Sequence, residues 1–446
     1  MKIIIFLIIA ILLADFPAEA CQTPARSAIL GKKYPDWDFA QMMHAAHNQP
    51  YTGYQFKGTT QCVNGLADGF PCQNIDLVGH LDLPAIGGGQ GSDSWGWKDE
   101  ASGRYFALVG RSNGTSFIEI TNPQSPQYIG QLPSEAGLSS TWRDIKTYNG
   151  YAYIVADIIG DHGMQVFDLS QLLNAQNMPV TFSAASVYKQ SGFQEAHNIV
   201  INEDSGFAYL TGGNTCDGGL HMVDINTPSN PTFAGCFSAD GYTHDAQCLN
   251  YSGPDTDYHG KEICIASNED TVTVVDVSVK STPTLVSRTG YTGSQYTHQG
   301  WFTEDQKYFV IDDELDERRD DLNTRTLVMD MTNLDQPVFK GFHEAGGASI
   351  DHNQYIVGNH TYQANYSRGL RVLRLKDLSK AEMEEVAYFD TVPKLDSNQS
   401  FQGAWNVYPF FDNGMVIISD INSGIFILKV NLPVDDLIFE SGFEID

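Results

Sequence analysis

The sequence predicts an all-β chain, a seven-bladed β-propeller with four-stranded blades. Three observations carry that expectation. A unit of about fifty residues recurs along the chain, at the period of propeller and array repeats. Each unit holds strand signals and no convincing long helix. An orphan strand ahead of the first copy supplies what the last copy lacks.

The clearest piece of the unit is an apolar strand closing on an acidic-apolar couple, followed by a strand that begins near a proline. It reads Ser116 to Ile120 and then Pro126 to Gly130, and again Met222 to Ile225 with Pro231 to Gly235. Val274 to Val277 with Pro283, Val328 to Met331 with Pro337, and Gln165 to Leu169 with Pro179 repeat it. Leu370 to Leu375 and Ile425 to Val430 are looser sixth and seventh copies. Ahead of each lies a strand rich in Tyr, Val and Ile, such as Tyr151 to Val155, and before that a third opening on a polar couple. Four strands with turn residues between them make one blade.

The last copy ends at Val430 without its proline-led outer strand. Upstream, Ile75 to Leu81 resembles Tyr128 to Leu132. An N-terminal strand that completes the last blade would close the ring and protect its edges. The expected organisation is a signal peptide over 1–20, an extension with a disulfide loop over 21–74, the propeller over 75–430 and a short acidic tail over 431–446.

The first twenty residues read as a secretory signal: Lys2, an apolar run from Ile3 to Ala14, and Ala18-Glu19-Ala20 for cleavage. That run is too short to span a bilayer, and no later stretch is long and apolar enough. A secreted, periplasmic or cell-surface protein is expected. With 42% hydrophobic and 11% aromatic residues a large core is expected. The net charge of -29 excludes nucleic acid and anionic lipid as partners, since both need Lys and Arg in excess.

Among the seven cysteines, Cys62 and Cys72, Cys216 and Cys236, and Cys248 and Cys264 fall into sequence-local couples. In an exported chain these are expected as disulfides, although six cysteines permit fifteen connectivities. Cys21 is left over directly after the cleavage site, where a lipid anchor would explain it.

Stretches spread from Cys62 to Val430 resemble the choice-of-anchor B proteins, whose units include LVIVD-type repeats. They include Cys62 to Gly65, Trp95-Gly96-Trp97, Ala107 to Arg111, Trp142 to Lys146, His162 to Asp168 and Ala196 to Ile199. Asp240 to Cys248, Ser267 to Thr271, Tyr296 to Trp301 and Asp312 to Asp316 continue the series. The resemblance implies an exported propeller whose relatives differ in their C-terminal surface anchor, and it implies no activity. The tail from Asp435 to Asp446 has neither an apolar span nor a basic end, so a membrane-spanning sorting anchor is not expected.

The polar couple that opens the blades repeats in register as His197-Asn198, His244-Asp245, His298-Gln299 and His352-Asn353. Other units carry Arg143-Asp144, Trp405-Asn406, and Trp95 or Trp97 at the corresponding place. In a propeller the first strand lines the central channel, so these residues are expected there as ligand-binding candidates. They would equally serve the blade itself by bonding a turn or a neighbouring strand. Four imidazoles from His197, His244, His298 and His352 would suit a transition metal. The acidic run of Asp312, Asp313 and Asp316 would suit a structural calcium, or else form a solvated loop. His44 and His47 come without a third ligand in the sequence, and no sequence motif couples Glu195 or Glu269 to acid–base work.

No nucleophile elbow, His-Glu-x-x-His or phosphate loop is present. The reading is therefore a binding scaffold for a surface polymer, a protein or a small ligand. The alternative is a metal-dependent enzyme, oxidative or hydrolytic, built on the histidine ring.

Overall fold

The computed structural model describes Tyr54 and residues 56–432, apart from 396–397. The expected signal segment, Cys21, His44, His47 and the tail beyond residue 432 lie outside the described residues.

Seven antiparallel blades of four strands follow one another around a ring. Their inner strands are Gly91–Asp99, Arg143–Tyr148, Asn198–Asn202, Asp245–Asn250, Thr297–Phe302, Gln354–Val357 and Ala404–Tyr408, numbered here blades 1 to 7. Each inner strand touches the inner strands of the blades on either side, including blade 7 against blade 1. Helices are short, Ser170–Leu173 and Asp316–Asp320 being the α-helices described.

Closure works as the repeat requires. Ile75–Leu81 pairs antiparallel with Gly424–Val430 and becomes the outer strand of blade 7, Ile75 opposite Val430 and Leu81 opposite Ile425. The preceding hairpin, Leu66–Ala67 and Phe70–Gln73, adds itself to the outer strand of blade 6 through Cys72 opposite Phe389. Its open edge is thereby covered.

The acidic-apolar couple has a local cause. Asp168, Asp224, Asp276 and Asp330 end the third strands, and each carboxylate accepts the N–H two residues on, tightening the turn. The apolar partner then returns to the core. Leu169, Ile225, Val277 and Met331 are fully buried, and their N–H groups bond carbonyls at the head of the second strand.

The core is divided rather than central. One apolar layer fills each of the seven gaps between neighbouring blades, for example Phe106, Leu108 and Phe117 against Ile145, Ile154 and Phe167. Stability thus comes from stacking blades face to face, as in other repeat architectures. The three expected disulfides form: Cys62–Cys72, Cys216–Cys236 and Cys248–Cys264. Because the apolar layers lie between blades, the axis is left for polar and aromatic side chains.

Candidate functional site

The polar couples sit where the inner strands begin, and β-bulges set their direction. In blades 3 and 4 two consecutive residues face one partner: His197 N–H bonds Thr211 O while Asn198 pairs with Thr211, and His244 N–H bonds Ser267 O while Asp245 pairs with Ser267. Register shifts at the same place mark blades 1, 5 and 7. A bulge re-aims side chains and is frequent beside sites.

The second residue of the couple ties one blade to the next. Asp144 accepts Ile199 N–H at 2.7 Å, Asn198 donates to His244 O at 3.0 Å, and Gln299 donates to Gln354 O and accepts Gln354 N–H. Asn406 donates to Ser94 O at 2.7 Å, and Asp93 accepts Ile145 N–H at 2.9 Å. These bonds fix the true register. The equivalent couple in blade 1 is Ser92-Asp93, and the expectation of Trp95 or Trp97 is corrected. Asp245 bonds only its neighbour's N–H, Ala246, and burial together with Asp144 pushes its carboxyl up to about 8. Asn353 is half-buried and offers its carbonyl to Ala364.

The first residues of four couples converge. Ring centroids lie 4.5 Å apart for His197 and His244, 4.0 Å for His244 and His298, and 4.5 Å for His298 and His352. Trp405 continues the arc 4.8 Å beyond His352. Arg143 leaves it: its guanidinium turns to Ser134 Oγ at 2.6 Å and His162 Nε2 at 3.2 Å. Burial lowers Arg143 to about 9 and His162 to about 4.

Each imidazole is held by Nδ1. His197 meets Asp157 Oδ2 at 2.9 Å and His298 meets Asp312 Oδ1 at 2.8 Å. His244 bonds His298 O at 2.9 Å and His352 bonds Trp405 O at 2.5 Å. A carbonyl only accepts, so neutral His244 and His352 carry their proton on Nδ1 and present an unprotonated Nε2. Burial, then His244, His352 and His197, keep His298 well below the ordinary imidazole range.

Glu314 stands between two of these rings. One carboxylate oxygen lies 3.8 Å from His298 Nε2 and the other 3.9 Å from His352 Nε2. Tyr366 O–H donates to Glu314 at 2.7 Å. Burial raises this carboxyl to about 8, with Asp313 adding to the rise and the Tyr366 bond opposing it. Glu314 escaped the sequence reading because it lay inside the acidic run, among residues considered for calcium or a solvated loop. That run is not solvated: Asp312, Asp313, Glu314 and Asp316 are all at most 3% exposed. Nor do the three aspartates share one centre. Asp312 serves His298 and Gln299 N–H, Asp313 serves Tyr291 and Tyr296 N–H, and Asp316 pairs with Arg325.

Farther along the inner strands the channel changes character. Trp95, Lys146, Val200, Gln247, Trp301, Tyr355 and Tyr408 occupy the position two residues beyond the couples, one per blade. Trp95 meets Tyr355 at 5.6 Å and Tyr408 at 5.0 Å, Trp301 meets Tyr355 at 5.0 Å, and Phe410 packs against Trp95, Trp301 and Tyr408. Lys146 bonds Asp144, lies 3.8 Å from Asp93 and sits over the Trp95 ring at 4.5 Å. A cavity of about 510 Å³ opens here, rimmed by Asn202, Glu203 and Asp204. Sequence periodicity carried a signal for this ring, an aromatic at couple plus two in blades 1, 5, 6 and 7, which the reading left unused.

Comparison with known proteins agrees with this architecture. The LVIVD repeat model matches residues 195–238 and 259–289, in blades 3 and 4. No curated protein sequence matches the chain. Among solved structures, Kuenenia stuttgartiensis hydrazine synthase superposes with a TM-score of 0.51 at 11% identity, over 74% of this chain and 93% of that one. A protein from Lactobacillus plantarum gives 0.50 at 13% identity, over 77% and 97%. At such identity the likeness is one of fold. The chain is a β-propeller that contains LVIVD repeats.

Proposed function

We propose that this propeller works as an exported, cell-surface binding protein of the choice-of-anchor B kind, taking a segment of an uncharged surface glycan in its aromatic channel mouth. The observation that supports this is the set of Trp95, Trp301, Tyr408 and Phe410 lining a cavity of about 510 Å³, with Tyr355 packed behind them. That volume lies within the roughly 300–1,000 Å³ of small-ligand sites. Aromatic faces suit the C–H faces of sugar rings, and Glu203, Asp204 and Asn202 supply polar groups at the rim.

Charge argues for a neutral ligand. Lys146, the cation lining the cavity, already faces Asp144 and Asp93, which leaves nothing to balance an anion. An organic cation would compete with Lys146 for the Trp95 face. The three disulfides fit an oxidising compartment, and among the described residues no helix is long and apolar enough to cross a membrane.

The test is a tryptophan-fluorescence titration with neutral gluco-, manno- and chito-oligosaccharides. Saturable binding is expected, lost in Trp301→Ala. A flat response to all three series, or binding that survives Trp301→Ala, would reject the reading.

A further inference from the structure

At the other end of the channel we infer a site for one divalent first-row transition ion, held by His298 Nε2, His352 Nε2 and the carboxylate of Glu314. It goes beyond the glycan reading and shares no residue with the aromatic mouth.

Three features carry it. First, the geometry is close to ligation. The three donor atoms lie within 4.8 Å of one another, with 3.8 and 3.9 Å from the carboxylate oxygens to the two nitrogens. Tetrahedral ligation at ~2.0–2.1 Å would place donors about 3.3 Å apart, so the two carboxylate–imidazole contacts must close by about half an ångström and the widest donor spacing by up to about 1.5 Å. Second, the rings are prepared as ligands. His298 and His352 are fixed through Nδ1 by Asp312 and by Trp405 O, the outer contacts that orient metal-bound imidazoles. Glu314 is likewise held, by Tyr366 O–H.

Third, the buried acids here need a cation before they can ionise without a large cost. Asp312, Glu314 and Asp351 are all buried, and among the described residues neither oxygen of Asp351 has a hydrogen-bond partner. Uncompensated carboxylates in such surroundings are costly. Two imidazoles and one carboxylate suit zinc, iron or cobalt better than calcium, which asks for six to eight oxygens. His244 stacks 4.0 Å from His298 and His197 lies beyond it, so the imidazole arc borders the site instead of forming a symmetric four-histidine ring.

The whole protein is stripped with chelator and offered Co²⁺ or Zn²⁺, both folded and during refolding from urea with disulfides intact. Bound metal is counted after dialysis, and Co²⁺ is also read by its visible ligand-field absorption. One ion per chain is expected, with Ca²⁺ and Mg²⁺ failing to compete. The near-isosteric Glu314→Gln and His352→Ala should each weaken binding by more than tenfold, and Asp312→Asn, which acts through His298, by roughly 10- to 100-fold. The exposed His259→Ala is the control and should bind as before. Absence of stoichiometric Co²⁺ and Zn²⁺ under both loading conditions overturns the inference. So does binding undiminished in both Glu314→Gln and His352→Ala.

Discussion

The two ends of the channel are built from the same seven strands, two to three residues apart, yet they solve opposite problems. At the imidazole end the side chains are sealed: His298 is 1% exposed and Glu314 3%. Burial there drives imidazoles and carboxyls alike toward their neutral forms. At the aromatic end a cation survives burial. Burial alone would lower Lys146, but Asp144 and Asp93 hold it firmly charged. The difference shows that position in the repeat sets only direction. The partners supplied by neighbouring loops decide whether a residue stays charged, turns neutral or awaits a ligand.

The sharpest way to break the comparison is to remove its one buried ammonium. Lys146→Ala should cost about 3–5 kcal/mol, because Asp144 and Asp93 would be left buried and uncompensated. Urea unfolding followed by far-ultraviolet dichroism measures this, and a loss under 1 kcal/mol would show that the two carboxyls simply take up a proton.

Acid should instead weaken the fold through histidines buried away from the axis. His162 titrates near 4 in the fold, through burial first and then Arg143, against 6.5 unfolded. A lowered histidine means that the unfolded chain binds the extra proton. Its stabilisation is therefore complete above about pH 6.5 and is lost as pH falls toward 4, by about 3 kcal/mol. His162→Gln should flatten part of the stability profile between pH 7 and 4. His80 and His221, also lowered to about 4 by burial, and His298 add slope of the same sign, while the raised carboxyls of Asp245 and Glu314 oppose it.

The smallest expected effect lies at the rim of the mouth. Phe410 is 36% exposed, so Phe410→Ser should shift folding stability by about 0.5 kcal/mol or less. The same substitution should still weaken oligosaccharide binding at least fivefold in the fluorescence titration. A melting temperature lowered by many degrees would instead make Phe410 a plug that holds the ring together.

Much of this fold was legible because its signals are local and repeated. The acidic-apolar couple marks the end of most third strands, because a turn and a core anchor need those residue types there. The match of Ile75–Leu81 to an outer strand announced the closure. Four histidine couples in register foretold the imidazole arc. What could not be read is what other parts of the chain bring to it. Glu314 and Tyr366 come from different blades and meet only through the ring. Ser92-Asp93 carries no imidazole or aromatic to betray its equivalence to His197-Asn198. Arg143 shares the histidines' position but finds Ser134 and His162 instead of the axis. A run of acids reads as solvated in one dimension, and only the packing of blades 5 and 6 around it shows that it is buried.

The pairing of Ile75–Leu81 with Gly424–Val430 also imposes an order in time. The propeller's first strand must wait for its last, so blades 1 to 6 are synthesised before the ring can shut. Until then the flank of blade 1 that will meet blade 7 stays bare, with Ala107, Val109 and Ile118 open to water. An unclosed chain exposes apolar surface to wrong partners for the whole of its synthesis. Moving the chain's termini to a loop between two other blades would let blade 7 form from consecutive strands, and the vulnerable interval would pass to the interface between those two blades.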